Sequence, residues 1–327
     1  MKQLNYIFYT LLLIFNVLIC KSQFHPQVGL PGTSAISKDS SIIKAWAVGC
    51  TVKRGYQDVT NTSLGYASAG DSSLAIGVAD GSGVVSLGDG GEAILTFSSP
   101  IKNGSGPDFC VFENAFDSGF LELATVSVSS DGINFYEFLP TSNTQFTTQI
   151  GPFDAVLQAD KLNNLAGKYI ANYGTPFDLQ ELSSITTLNI NSITHVKIKD
   201  VVGCINCNDK TIDKNLNPIN EPFPTAFASS GFDLDAVGVI NQTNVNLTKI
   251  NEFKENILIL NYKGGIKIIN KTSAAVEIEI INSLGNIMYS FNMDKTDSFK
   301  FIALESDLYI LKCQIEQNYL IKKIVIN

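Results

Sequence analysis

The stretch Glu122-Leu-Ala-Thr-Val-Ser-Val-Ser129, followed by Asp131-Gly132 and Phe135-Tyr-Glu-Phe138, decides the fold class of this chain. Small apolar and hydroxyl side chains alternate over residues 124–129, as they do on a strand with one buried face. The Asp-Gly pair is typical of a tight hairpin turn, and the apolar run after it predicts the returning strand. The passage therefore predicts an antiparallel hairpin.

Similar apolar or alternating runs, separated by Gly, Ser, Asn and Pro, recur up to residue 240. They predict further strands at 92–97, 108–112, 193–200 and 232–240. This spacing is typical of an antiparallel β-sandwich. Two short helices are also predicted, at 40–47 and 159–165. The first domain is expected to cover residues 23–240.

A polar stretch at 241–250 has no core pattern and is predicted to be a linker. The rest of the chain, 251–327, alternates in short segments that predict a small Ig-like sandwich of seven strands. Those strands are expected near 256–261, 265–270, 275–282, 287–292, 298–303, 307–314 and 319–326.

The chain closes on Asp307-Leu-Tyr-Ile-Leu-Lys312 and Leu320-Ile-Lys-Lys-Ile-Val-Ile-Asn327. This resembles the C-terminal sorting domain of type IX secretion substrates in Bacteroidetes-type bacteria, which ends in a GxYxxK strand, a turn and a KKIxxx strand. Asp307 replaces the glycine of the first motif. The resemblance implies that the type IX secretion machinery reads this tail, which is then normally removed. The implied signal residues are Tyr309, Lys312, Lys322, Lys323 and Ile324.

The other end of the chain has the pattern of a secretory leader. Lys2 precedes an apolar run over residues 7–20, which is shorter than the roughly 20 residues of a bilayer span. Small residues at Cys20 and Ser22 suit a signal peptidase, so 1–22 is predicted to be a signal peptide. A membrane anchor and a lipoprotein acylated on Cys20 are the alternatives. No later run is long enough to span a membrane, so the mature chain is expected to be secreted or on the outer cell surface, reached through the periplasm.

The formal net charge is −8, and residues 23–250 carry 12 Lys and Arg against 22 Asp and Glu. Nucleic acids require clustered basic residues, so this balance excludes them as partners. An acidic surface suits divalent cations and neutral ligands. The simpler alternative is that the charge keeps an exported protein soluble.

Two resemblances concern the central domain. Ser127-Val-Ser-Ser-Asp-Gly-Ile-Asn-Phe135 is similar to a hairpin of discoidin-like, galactose-binding-like sandwiches. Blocks such as Asp108-Phe-Cys-Val-Phe-Glu-Asn114 and Gly231-Phe-Asp-Leu-Asp-Ala-Val237 resemble a group of secreted bacterial surface proteins across 24–240. These resemblances imply a galactose-binding-like or jelly-roll β-sandwich at the cell surface, and they supply no activity.

A calcium site is the first candidate site. Asp233 and Asp235 alternate with apolar residues, so a strand would place both carboxylates on one face, roughly 7 Å apart. Glu113 ends another predicted strand, and Asp89 lies in a Gly-rich turn. Oxygen ligands of this kind suit Ca²⁺, and discoidin-like sandwiches often hold one. The alternative is a solvated strand face, or pairing with lysines of the 193–200 strand.

A carbohydrate-binding surface is the second candidate. The long loop 218–230 contains Phe223 and Phe227, and long loops on a rigid sandwich commonly carry binding residues. Asn114 and Tyr136 are predicted to add an amide and a second aromatic ring. A lid that closes the end of the sandwich is the competing interpretation of this loop.

Cys204 and Cys207 have CxxC spacing, and an oxidising compartment favours a disulfide between them. A structural zinc site would need a second pair of ligands, which a lone CxxC lacks.

No pattern predicts catalysis. The two histidines, His25 and His195, do not adjoin a nucleophile motif, and Gly88-Asp-Gly-Gly91 lacks the Lys-Ser/Thr of a phosphate loop. The predicted function is an exported binding or adhesion module that binds a glycan or surface ligand and is stabilised by calcium, not an enzyme. The alternatives are a secreted glycoside-acting hydrolase, with carboxylates such as Glu113 and Asp233, and a structural surface-layer protein. An acidic cleft with raised carboxylate pKa values would favour the hydrolase, and an aromatic platform the lectin-like module.

Overall fold

The computed structural model describes residues 24–243, 256–262, 264–272, 274–294, 298–315 and 318–326. The chain divides into two compact units, 1–243 and 244–327. The predicted leader, 1–22, and residues 244–250 of the predicted linker lie outside the described ranges. Within those ranges, no helix has the length and apolar character needed to cross a membrane.

The described part of the first unit is all-β. Its helical turns are of the 3-10 type and cover Thr62–Leu64, Ser72–Ala75, Ala159–Lys161 and Leu179–Leu182. Its strands are β1 (Ile36–Ser37), β2 (Ala45–Trp46), β3 (Gly49–Lys53), β4 (Val85–Ser86), β5 (Glu92–Ile101), β6 (Phe109–Glu113), β7 (Ala124–Ser129), β8 (Tyr136–Glu137), β9 (Thr141–Ser142), β10 (Leu162–Asn163), β11 (Tyr173–Phe177), β12 (Ile193–Asp200) and β13 (Asp233–Val239).

Two antiparallel sheets enclose the core of this unit. One sheet has the order β1-β11-β6-β13-β2, with β4 also paired to β13, and the other has the order β3-β5-β12-β7-β8. Both contribute to one apolar cluster: Phe109 and Val237 come from the first sheet, and Leu95, Val126 and Ile198 from the second. Burying each such side chain contributes about 1.5–3 kcal/mol. The predicted all-β sandwich is confirmed.

The antiparallel hairpin predicted from residues 122–138 is present. β7 pairs with β8, and Gly132 in the connection has φ +76°, a conformation that glycine adopts readily. The Asp131 carboxylate accepts hydrogen bonds from the backbone N–H groups of Ile133 and Asn134, both at 2.8 Å. The Asp-Gly pair thus forms the predicted turn, because the Asp131 carboxylate accepts hydrogen bonds from the turn backbone and Gly132 adopts a positive φ.

The two predicted helices are wrong. Residues 40–47 contain β2, which pairs with the end of β13. Residues 159–165 contain a single 3-10 turn followed by β10. A helix this short gains too few internal hydrogen bonds to offset the cost of nucleation. Pairing with a neighbouring strand satisfies the same backbone groups.

Strand β13 contains an irregularity at its acidic residues. Its register against β6 shifts between Leu234, opposite Glu113, and Ala236, opposite Phe112, so Asp235 is an extra residue there. Asp233 and Asp235 are both buried, at 9% and 2% exposure. The interpretation of these two carboxylates as a solvated strand face is therefore wrong.

The second unit contains the seven predicted strands, β14 (Ile257–Tyr262), β15 (Gly265–Asn270), β16 (Val276–Asn282), β17 (Ile287–Met293), β18 (Ser298–Ala303), β19 (Leu308–Ile315) and β20 (Asn318–Val325). They form a three-stranded sheet, β14-β15-β18, and a four-stranded sheet, β17-β16-β19-β20. Ile266, Ile278 and Leu311 are fully buried in one apolar core that both sheets share.

The residues of the motif in the tail meet across the last hairpin. Tyr309 of β19 lies opposite Ile324 of β20, and both side chains are buried. Lys312 forms an ion pair with Glu279 of β16 at 3.1 Å. The two lysines near the end of the chain are exposed: Lys322 and Lys323.

Candidate functional site

A pocket of about 240 Å³ opens in the first unit where β6 ends and β13 begins. Three carboxyl groups line it, from Glu113, Glu122 and Asp233. The remaining lining residues are Asn114, Ala115, Phe116, Phe120, Pro152, Phe153, Thr225, Phe227 and Ser229.

The strand pairing brings the acidic residues together. Glu113 ends β6 and faces Leu234 across the ladder, which places it beside Asp233, the first residue of β13. Glu122 lies two residues before β7 and reaches the same pocket from the end of the loop that follows β6. A site of this kind depends on three separate chain segments, so it forms only when the sandwich folds.

Two pairs of phenylalanine rings frame the pocket. Phe116 and Phe120 stack with their centroids 5.3 Å apart, and Phe153 and Phe227 meet at 5.7 Å in a tilted arrangement. Phe116 is 84% exposed, Phe153 73% and Phe227 47%. Aromatic side chains this exposed at the rim of a cavity are typical of a ligand-binding site.

Close backbone approach fixes the loop that carries Phe116 and Phe120. The backbone oxygen of Gly119 accepts a hydrogen bond from the Leu157 N–H at 3.0 Å. A Cβ atom at position 119 would lie 2.6 Å from the backbone oxygen of Ala155, so only glycine fits without a shift. The first aromatic pair is therefore anchored to the segment that presents Phe153.

Burial dominates the electrostatics of the pocket floor. It raises the pKa of Glu113 well above the ordinary range, and the neighbouring Asp233 and Asp235 charges raise it further. Burial likewise raises the pKa of Glu122, with Asp233 and Glu113 adding to the effect. The pKa of Asp233 rises to about 6, because burial outweighs the opposing effects of the Ser86 hydroxyl and the Arg54 guanidinium. Burial thus favours the protonated form of the three carboxyl groups relative to their forms in water.

More buried carboxylates lie behind this floor, and they bind backbone N–H groups. Asp200 accepts from Gly90 at 2.9 Å and from Phe232 at 2.6 Å. Glu221 accepts from Leu123 at 2.7 Å. Burial raises the pKa of both carboxyl groups well above their ordinary values. These groups hold loops and strand ends together, which is a structural task.

Four of the residues predicted to bind ligand or metal line the pocket: Glu113, Asn114, Asp233 and Phe227. Residues from both predicted sites, the metal site and the carbohydrate-binding surface, therefore line the same cavity. Neither Asp235 nor Asp89 lines it.

Asp235 and Asp89 each bind backbone instead. The Asp235 carboxylate accepts from the N–H groups of Asp80 and Gly81. The Asp89 carboxylate accepts from Val59 N–H at 2.7 Å, and burial raises its pKa to about 6.

The two other predicted binding aromatics also lie outside the pocket. Phe223 is buried in a small cluster with Val202 and Cys204. The Tyr136 hydroxyl hydrogen-bonds Thr187 Oγ1 at 2.7 Å. The location of an aromatic residue in a long loop or an aromatic segment therefore does not predict whether its ring faces the cavity.

Of the four predicted calcium ligands, only Glu113 and Asp233 share the pocket. In the described part of the chain, no group of three or more His, Cys, Asp or Glu side chains is arranged to hold a metal ion. The bulge at Asp235 is one physical reason, because it breaks the simple alternation from which a shared face was predicted. Calcium binding itself stays a prediction.

Four residues of the pocket are not predicted from the sequence: Glu122, Phe116, Phe120 and Phe153. A signal for two of them was present, because Phe116 and Phe120 flank Gly119 directly after the acidic end of β6. Nothing local distinguishes Glu122 from any other polar residue at the start of a strand.

The CxxC segment differs from its prediction. Cys204 and Cys207 are free thiols, as are the other cysteines of the described residues. The Cys207 thiol donates to the Cys204 backbone oxygen at 3.5 Å, and the Cys207 N–H donates to Cys204 Sγ at 3.0 Å. The turn is therefore held by hydrogen bonds, and the predicted disulfide is absent.

No family model matches the chain, and no curated protein does. Among solved structures, the chain is similar to β-glucuronidase from Ruminococcus gnavus in complex with uronic isofagomine, at 10% identity and a TM-score of 0.18, covering 73% of this chain and 36% of that one. The same enzyme with N1-substituted uronic isofagomine gives 10% identity and a TM-score of 0.20, covering 89% and 48%. The chain thus spans less than half the length of these enzymes. Similarity this low carries no information about function, which has to be inferred from the chemistry of the pocket.

Proposed function

We propose that the first unit is a carbohydrate-binding module of an exported surface protein. One observation carries the proposal: exposed phenylalanine rings surround a pocket whose floor consists of carboxyl groups. Sugar rings stack their C–H faces on aromatic side chains, and carboxylates and amides accept hydrogen bonds from their hydroxyls. Phe116 supplies the most exposed ring, and Glu113 and Asn114 supply polar groups.

Binding to a glycan array, followed by calorimetric titration of the best glycan, tests the proposal. Phe116→Ala is expected to weaken binding by about twofold to tenfold, because one stacked aromatic contributes about 0.5–1.5 kcal/mol. Phe146→Ala is the matched control, since Phe146 is also exposed, at 43%, and does not line the pocket. Equal affinities of the two variants would contradict the assignment.

A glycoside hydrolase is the second candidate, and a specific observation favours it. Glu113 and Glu122 line one pocket and both have raised pKa values, which suits a general acid. Release of reducing sugar from the glycan that binds best distinguishes the two functions. Activity in the wild type that is lost in Glu113→Gln would identify an enzyme, and binding without turnover would identify a module.

Export through the tail is part of the same proposal. It is supported by the Lys322-Lys323-Ile324 ending, which lies on β20. Removal of residues 308–327 should leave the protein in the periplasm with its leader cleaved. Fractionation with a surface-labelling reagent measures this, and normal surface labelling of the truncated chain would exclude the sorting role.

A further inference from the structure

Glu122 differs from the carboxylates around it. Glu113, Asp200 and Glu221 each accept a hydrogen bond from a backbone N–H, and Asp233 accepts one from the Ser86 hydroxyl. In the described ranges, Glu122 receives no such hydrogen bond, and its half-buried side chain lines the pocket. A half-buried carboxyl group without a protein donor keeps its acceptor oxygens available to a ligand. Its missing partner is therefore expected to arrive with the ligand.

The pocket has no cation of its own to complement its acids. None of its lining residues is Lys, Arg or His. The Arg54 guanidinium lies close enough to influence Asp233. Its N–H groups, however, already donate to the backbone oxygens of Ala69, Ser86 and Gly70. The floor can accept further positive charge.

The walls suit an organic cation better than a metal ion. Aromatic faces attract ammonium groups through their negative π surfaces, and four phenylalanines line this cavity. Calcium, in contrast, takes six to eight oxygen ligands, and no group of three or more His, Cys, Asp or Glu side chains among the described residues is arranged to hold a metal ion. An amino group on a sugar ring would contact carboxylates at the floor of the pocket and aromatic faces at its walls.

We infer that the ligand presents a protonated amino group to Glu122, with Glu113 and Asp233 as its neighbours, so that the module selects amino sugars over neutral or N-acetylated sugars. This inference rests on the proposed carbohydrate-binding function. The raised pKa values of the three carboxyl groups agree with it, because a bound cation would let them ionise.

Three oligosaccharides of equal length test the inference on the full chain by calorimetry: a β-1,4-glucosamine oligomer, its N-acetylated form and the corresponding neutral glucose oligomer. The glucosamine oligomer is expected to bind at least about tenfold tighter than the other two, as a charge-assisted hydrogen bond would provide. Glu122→Gln should abolish that preference, so that the three oligomers bind with similar affinity. Asp39→Asn removes the same charge from an exposed residue outside the pocket and should change nothing.

The outcomes separate the inference from the proposed function. Equal binding of all three oligomers overturns the amino-group inference and keeps the carbohydrate module. Binding of tetramethylammonium alone, with no oligomer bound, overturns the carbohydrate module. Calcium that competes with the glucosamine oligomer in a manner dependent on Glu122 overturns the organic cation in favour of a metal. A preference that persists in a folded Glu122→Gln variant removes Glu122 from the recognition site.

Discussion

The two units stabilise their folds in different ways. In the tail unit, the described core consists of apolar side chains such as Ile278 and Leu311, and the ion pair of Lys312 with Glu279 is partly exposed. The first unit buries Glu113, Asp200 and several other carboxyl groups inside or beside its core. Burying such groups opposes folding. The difference indicates that the burial of ionisable groups opposes folding more in the first unit than in the described part of the tail unit.

The largest effect is expected from a cavity in the first core. Phe109 is fully buried and stacks on Phe177 at 5.3 Å, so Phe109→Ala should lower the free energy of unfolding by about 3–5 kcal/mol. Trp46, the only tryptophan, reports this unit by fluorescence during urea unfolding. Ile278→Ala, in the other core, should leave the Trp46 transition in place. A shift of similar size would show that the two units unfold as one.

A smaller effect is expected from pH, and it is specific to the first unit. The folded-state pKa of Asp233, about 6, exceeds its ordinary value of 3.8, so the native state holds this proton more tightly than the unfolded chain. Stability is therefore fully present below about pH 4 and falls as the pH rises through 6. The loss amounts to at most about 3 kcal/mol for this group.

The Trp46 unfolding midpoint, followed from pH 4.5 to pH 7.5, measures this loss. Asp233→Asn should make the fall shallower, because the substituted amide does not titrate while the other carboxyl groups with raised pKa values still do. A midpoint that rises with pH in the wild type would contradict the sign argued here.

The third effect is a gain. Glu122 has a raised pKa and no hydrogen-bond donor among the described residues, so Glu122→Gln removes a charge that the fold does not use. We expect the unfolding free energy at pH 7.5 to rise by about 1 kcal/mol. Differential scanning calorimetry without ligand measures it. A clear loss of stability would mean that Glu122 serves the fold after all.

The smallest effect belongs to the ion pair of the tail. Lys312 and Glu279 have side-chain exposures of 36% and 22%, and pairs at the surface contribute about 0.2–1 kcal/mol. Lys312→Ala should therefore lower tail stability by no more than that, measured by tyrosine fluorescence at low salt. Addition of 1 M NaCl should remove most of the difference, because salt screens exposed charges.

Local pattern predicted much of the fold. β12 and β15 have the predicted bounds, 193–200 and 265–270, because side chains that alternate along a strand need only their immediate neighbours to identify it. The short helices failed because a partner strand, distant in sequence, decides the state of residues 45 and 46.

The site was harder to predict than the strands. Glu113 and Asp233 were selected, and they do share a cavity. Glu122 was not selected, because its importance depends on what surrounds it in space. The bulge at Asp235 likewise depends on the pairing of β13 with β6. Pairing partners and loop positions are long-range properties, and alternation within one segment does not contain them.

The last hairpin has a consequence for the export proposed above. Ile310 lies opposite Lys323, and Lys312 opposite Ile321, so these four side chains share the outer face of the β19–β20 pair. That face is a composite epitope, present only once the hairpin has closed. If the secretion machinery recognises this face, export would be restricted to chains whose tail has folded, because misfolded chains lack the face. A synthetic β20 peptide has the sequence of the motif but cannot form the two-stranded face. It should therefore not compete with the full chain for export.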